Sequence, residues 1–359
     1  MQFRIFLFCL VFSSNCFSQK EGRRELWVDC KLKVGFLAAH RPILGHLATE
    51  HAIAGEVSYY IQGKGERFWH WGYNNPKYGL TAFFGTAGNR ELLGFYSGAY
   101  AFIDFPLVHK KHYSLSFKSG AGLAYGSKKY DQENNILSNA LSSHINSMIV
   151  LGLENRVNIG NSAIALTLDM THFSNGAIKV PNLGLNLPFL SLGYGHRIQK
   201  SNHCDTFAVA GSGYKSLEYG VVAFGSAQEL VPTGGKKYAV GGFNIVGRKY
   251  FSRRSGMEVS LDFMSKQSII DFQPEVQKTQ LEIIQVGLFA GYLLPMDKFQ
   301  LVIGMGAYLR DKFKPEEALY HRVGMRYVFR NRINLNLVLK SHWARADYVE
   351  YGIGYTFSR

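Results

Sequence analysis

The chain has 359 residues, is 47% hydrophobic, 14% aromatic and 18% charged, and carries a formal net charge of +14. With 38 glycines, 26 phenylalanines, 21 tyrosines and 9 prolines, its usage fits a β protein with many strand ends better than a helical one. The positive charge is spread without a basic block, which argues against nucleic acid and for an anionic surface such as phosphate-bearing lipid.

The first element is MQFRIFLFCLVFSSNCFSQK, in which Arg4 precedes a short apolar run, Ile5 to Phe12, and then small polar residues. Residues 1–18 therefore read as a secretory signal peptide, too short for a membrane-spanning helix. Its removal takes away Cys9 and Cys16. Cys30 and Cys204 remain, so the mature chain is neither a disulfide scaffold nor a clustered cysteine metal site. The sequence does not decide whether these two pair.

Strands are expected at 31–40, 52–63, 77–88, 93–106, 112–126, 142–157, 162–174, 186–198, 206–219, 237–251, 256–267, 280–295, 299–310, 319–329, 333–343 and 347–357. That makes about sixteen, or fourteen if weak segments such as 206–219 drop out. Ile333, Leu335, Leu337 and Leu339 share one face, and every odd residue from Val349 to Phe357 is apolar. No later segment runs to eighteen apolar residues, so helical spans are not expected. An apolar and a polar face on each strand of an exported chain is the pattern of an all-β, transmembrane, antiparallel up-and-down β-barrel. A soluble sandwich has the same period.

The connections separate the two. With the first strand running outward from the periplasm, 109–112, 158–161, 252–255, 296–298 and 330–332 fall on the periplasmic side, and all are short. On the other side lie 41–51, 127–141, 220–236 and 268–279, which are longer. Short periplasmic turns and long outer loops mark outer-membrane barrels. The segment 64–76 is a long exception. Residues 19–359 are read as one barrel of the bacterial outer membrane; the alternative is two domains joined near Lys200-Ser-Asn-His-Cys204. A ring of sixteen strands is wide enough for an aqueous channel, which keeps a porin, transporter or binding protein as the alternative function. An adhesin acting through loops 127–141 and 220–236 is a third reading. Tyr355-Thr-Phe-Ser-Arg359 puts an aromatic near the end of the last strand, the feature by which outer-membrane assembly machinery recognises such chains. Tyr59, Tyr60, Trp343 and Tyr348 are assigned to aromatic girdles.

The strand 162–174 carries the chemistry. Ile164, Leu166, Leu168 and Met170 share a face, and His172 and Ser174 continue it at its outer end. A polar pair facing hydrocarbon is costly and asks for a reason. An imidazole next to a hydroxyl is the core of nucleophilic catalysis. A hairpin symmetric about Lys179 sets Asn186 opposite His172. Asp169 is near in sequence but has lumen parity. Glu154 is a lumen residue or a paired charge. His109 and His112 read as a solvated turn, and Tyr130-Asp-Gln-Glu-Asn134 as a polar loop.

His172-Phe-Ser-Asn-Gly176, then Pro181-Asn-Leu-Gly-Leu-Asn186 and an aromatic-bearing strand, resemble the lipid A 3-O-deacylase (acyloxyacyl hydrolase-like) family of outer-membrane enzymes. Gly35 to His40, Trp69 and Trp71 before Pro76, and Ser119 to Tyr125 are similar too. The resemblance covers roughly 30–198; the rest looks like the added strands of longer relatives. It implies Ser174 as nucleophile, His172 as general base, and Asn175, Asn182 and Gly176 as loop-holding or oxyanion residues. The implied substrate is an ester-linked acyl chain on the lipid A of lipopolysaccharide, with no metal or organic cofactor. The sequence departs from the family at Asn186, fourteen residues after the histidine, where the family has an acid. An Asn carbonyl can orient a histidine but cannot stabilise imidazolium by charge.

Overall fold

The computed structural model describes residues 24–65, 67–201, 217–230, 232–315, 317–343 and 345–357. The signal peptide and Cys204 lie outside them, so the Cys30–Cys204 question does too. The first eight strands are β1 (Glu25–Gly35), β2 (Ala52–Gln62), β3 (Lys77–Thr86), β4 (Phe95–His109), β5 (Tyr113–Gly126), β6 (Ile145–Ile159), β7 (Ser162–Ser174) and β8 (Leu185–Gln199). The second eight are β9 (Glu218–Glu229), β10 (Lys237–Ser252), β11 (Ser255–Lys266), β12 (Ile284–Met296), β13 (Phe299–Arg310), β14 (Leu319–Val328), β15 (Ile333–His342) and β16 (Arg345–Thr356). Two short helices, α1 (Phe68–Gly72) and α2 (Ser268–Asp271), sit in connections.

All neighbours are antiparallel, and the strand number is the sixteen expected. Closure differs from the single ring expected. β1 returns to β8 (Leu32 opposite Leu192) and β9 to β16 (Val221 opposite Tyr355), giving two closed barrels of eight strands each. The division falls between β8 and β9, where the two-domain alternative placed it. Closure leaves neither ring with an unpaired strand edge.

An eight-stranded ring is just wide enough for side chains to fill, so its inward residues must satisfy one another. On β1 the inward set is Glu25, Trp27, Asp29, Lys31 and Lys33, and the outward set includes exposed Cys30, Leu32 and Val34. Lys31 Nζ donates to Glu154 at 2.6 Å, and Lys77 Nζ donates to the other oxygen of Glu154 at 2.7 Å and to Asp104 at 3.0 Å. Lys33 bridges Glu56 and Asp169 at 2.8 and 2.9 Å, and Arg156 holds Asp29 at 2.5 Å. Glu154 is thus both a lumen residue and a paired one. Toward the long-loop end the filling turns apolar: Leu44 and Leu47 of the 3₁₀ turn Pro42–Leu47 join Phe83, Tyr96, Phe173 and Phe189.

The second ring repeats the scheme with arginine. Glu258 accepts from Arg248 and Arg326, each at 2.8 Å, Arg322 joins Asp262 to Glu350, and Lys266 binds Asp347 at 3.1 Å. The width argument for an aqueous channel applied to a ring of sixteen and does not carry over to two filled rings of eight.

The connections keep the expected asymmetry. Turns at 110–112, 160–161, 253–254, 297–298 and 329–332 are short, and 36–51, 127–144 and 267–283 at the opposite end are long. The connection 63–76 remains the long exception and carries α1.

Three assignments are corrected. The first strand runs over Glu25–Gly35 rather than 31–40, because its inward charges hide the alternation before Lys31. The segment 220–236 is mostly strand β9 rather than an outer loop, which removes it as an adhesin loop; its inward residues include apolar Val222 and Phe224, so the contrast between faces is weak. The rest of the expected strand 206–219 lies largely outside the described residues. Tyr60 and Tyr348 point inward at 2% and 0% exposure and are not girdle residues, whereas Tyr59 and Trp343 face out at 51% and 59%.

Removing one partner of a buried ion pair strands the other, at about 3–5 kcal/mol. Glu154→Leu leaves both Lys31 and Lys77 short of a carboxylate and is expected to lower unfolding stability by about that amount, read by denaturant unfolding in detergent. In planar bilayers the intact protein is expected to show no stable open-pore conductance.

Candidate active site

The alternation of β7 extends to its last residue. Ile164, Leu166, Leu168 and Met170 are exposed, and Ala163, Ala165, Thr167, Asp169 and Thr171 are buried; His172 and Ser174 continue the outward set by parity, His172 half-buried and Ser174 buried at 9% exposure. Phe173 between them points inward, is fully buried, and packs on Tyr96 (4.8 Å) and Phe83 (5.8 Å). This anchor fixes the strand end on which the pair stands.

His172 pairs with Asn186 across the β7–β8 ladder, as the hairpin count predicted. An amide oxygen only accepts. At 2.6 Å from Asn186 Oδ1, His172 Nδ1 must therefore carry the proton, leaving a lone pair on Nε2. On its other side Asn186 Nδ2 donates to His40 Nδ1 at 3.1 Å. Gly184 lies against the ring at φ +77°, and a Cβ there would sit 2.9 Å from His172 Cε1. Only glycine meets both the backbone angle and the space.

Ser174 is opposite Ser147 of β6. Ser147 Oγ donates to the Ser174 carbonyl at 2.6 Å, so its oxygen is left to accept from Ser174 Oγ at 3.4 Å. Among the described residues no hydrogen bond joins His172 to Ser174; such bonds often tighten only when substrate binds.

The β7–β8 loop is held from within. Asn175 N–H donates to Asn182 Oδ1 at 2.9 Å, and Asn175 Nδ2 donates to Lys179 O at 2.9 Å and Ser143 Oγ at 3.0 Å. Asn175 and Asn182 are therefore engaged in shaping the loop. Gly176, at φ +65°, packs against the second barrel: a Cβ there would lie 2.5 Å from Val349 Cγ2 of β16. Glu229 N–H of β9 donates to Ala177 O at 3.2 Å. Asp169 is inside the barrel on Lys33 and Thr171 (2.9 and 3.0 Å), on the opposite face from His172. In the loop Tyr130–Asn134, Asp131 Oδ1 accepts from the backbone N–H groups of Glu133 and Asn134, which folds the loop on itself.

Two residues escaped the sequence-based site, Ser147 and His40. Ser147 left one trace, a polar residue at an outward position between Ile145 and Ile149. His40 is 146 positions from its partner and left no periodic signal.

Fold and site together define an all-β protein of two antiparallel barrels, the first bearing on one outward strand face a histidine and a serine, with an amide 2.6 Å from the histidine. Residues 53–195 match the model of the family described as lipid A 3-O-deacylase (PagL), and residues 217–359 match that of the acyloxyacyl hydrolase C-terminal domain. The chain belongs to the lipid A 3-O-deacylase family, a family of ester hydrolases, and its second barrel is a domain with a family model of its own. No curated protein matches the chain. Among solved structures, one mutant of Rhodopseudomonas blastica porin aligns over 92% of this chain and 99% of its own at 8% identity and a TM-score of 0.18. A second mutant of that porin aligns over 94% and 100%, again at 8% and 0.18. Scores this low carry no argument about fold or function.

A methyl group at residue 184 must push the His172 ring aside, and a misplacement of about 1 Å can cost about 100-fold in rate. Gly184→Ala is expected to lower ester hydrolysis by about that factor while the barrel keeps its folded, heat-shifted gel mobility.

Proposed function

We propose that the protein is an outer-membrane serine esterase that removes an ester-linked acyl chain from the lipid A of lipopolysaccharide. The observation that carries this reading is the placement of His172 and Ser174 on the outward face of β7, at the long-loop end, with Asn186 2.6 Å from His172 Nδ1. A substrate embedded in the outer leaflet meets such a pair without leaving the membrane.

In this mechanism His172 Nε2 takes the proton of Ser174 Oγ as that oxygen attacks the ester carbonyl. The N–H of Gly176, which donates to no described residue, is the donor proposed for the developing oxyanion, while Asn175 and Asn182 hold the loop that presents it. The bond between the acyl carbon and the sugar oxygen breaks, and His172 gives its proton to that departing oxygen. Water, deprotonated by His172, then attacks the acyl carbon; the fatty acid leaves as the carbon–Ser174 Oγ bond breaks, and His172 returns the proton to Ser174 Oγ. No step calls for a metal or organic cofactor. Asn186 keeps His172 in the reactive tautomer but adds no charge to oppose imidazolium. The C-terminal strand is proposed to deliver the chain to the outer-membrane assembly machinery.

The test is mass analysis of lipid A from a lipopolysaccharide-producing host. Expression of the protein is expected to shift lipid A by the mass of one acyl chain, and Ser174→Ala to abolish the shift at equal folded protein. A shift that survives Ser174→Ala overturns the assignment. Asn186→Asp restores the acid in an isosteric frame and is expected to raise the rate by about tenfold or more, part of the loss an acid-to-amide change causes in serine proteases.

A further inference from the structure

We infer that His40 is a positioning residue that sets the proton on His172 through the Asn186 amide. The inference rests on the reading of His172 as the base.

Ring closure creates the contact. Beyond the last rung of the β1–β8 ladder, Phe36 N–H reaches Pro188 O (3.4 Å) and Ala38 N–H reaches Asn186 O (2.9 Å). Two residues later His40 stands at the Asn186 side chain, exposed on its outer side. The amide then lies between two imidazoles, its oxygen 2.6 Å from His172 Nδ1 and its nitrogen 3.1 Å from His40 Nδ1.

A carboxylate only accepts, so it would impose the Nδ1–H tautomer on His172 by itself. An amide has an accepting end and a donating end, and either can face the ring. Turned over, Asn186 offers N–H to His172 Nδ1, the ring proton moves to Nε2, and the base is lost. The lone pair of neutral His40 holds the amide nitrogen and so keeps its oxygen on His172. It also polarises the amide, because hydrogen bonds in a chain strengthen one another.

Protonated His40 does the reverse. Both its nitrogens then donate. Its Nδ1–H demands the amide oxygen, Asn186 turns, and His172 is left with its proton on Nε2. The titratable group facing His40 is His172 on β7, across Asn186 on β8. On its own connection Arg41 adjoins it, and His46 is engaged with Leu137 O at 2.8 Å. Among the described residues no carboxylate pairs with either imidazole of the relay.

The experiment measures kcat and KM on purified lipid A for the full-length protein in detergent. His40→Ala frees the amide and is expected to cost about tenfold in kcat with KM little changed, the worth of one hydrogen bond. His40→Asp places an acceptor-only oxygen where Nδ1 was; it is expected to restore the rate. In an Asn186→Asp background, His40→Ala is expected to have no effect, because the carboxylate sets the tautomer alone. A His40→Asp enzyme as slow as His40→Ala, or a His40→Ala loss that persists in the Asn186→Asp background, overturns the inference. Ser174→Ala, assayed alongside, separates the two levels: a dead Ser174→Ala enzyme with indifferent His40 variants sinks the relay alone, and an active one sinks both readings.

Discussion

A ring of eight strands is just wide enough for side chains to fill, so the charges turned into it are paired largely with side chains of other strands. Lys31 meets Glu154 across the lumen, Glu154 also takes Lys77, and Lys33 joins Glu56 to Asp169. These contacts fix which face of each strand is inside. Once Asp169 and Thr171 are committed inward, His172 and Ser174 have nowhere to be but outside. The outward His172 and Ser174 are thus positioned by ion pairs on the opposite face of the sheet.

The two barrels solve the filling problem differently. In the first, lysines meet carboxylates near the short-turn end, and leucines and aromatics fill the long-loop end. In the second, Arg248, Arg322 and Arg326 share Glu258, Asp262 and Glu350, a fork geometry that lets one arginine serve two carboxylates. Both leave an apolar exterior. The candidate site nevertheless stands on the first barrel, and the second reaches the loop after Ser174 through Val349 and Glu229.

Strand parity was legible because it is local: two-residue periodicity placed His172 and Ser174 outward, and hairpin counting placed Asn186 opposite His172. Closure was not legible, since alternation is the same in one ring of sixteen and two rings of eight. β9 was blurred by Val222 and Phe224, apolar residues on its inward face. Tyr60 and Tyr348 were misread because an aromatic near a strand end fits a girdle or a lumen equally well by type. The partner of Asn186 was invisible for a stronger reason: His40 meets it only because β1 closes on β8, a pairing between opposite ends of the ring that no local pattern encodes.

The contact between Gly176 and Val349 turns a question of chemistry into one of traffic. Lipids move in a plane, and a nucleophile on the wall of a lone cylinder can be approached through a wide arc. Here a second cylinder stands against the loop that follows Ser174 and closes part of that arc. On the proposed reading, a diffusing lipid then meets Ser174 only from the remaining flank. The neighbouring wall narrows the directions of approach before any bond is made.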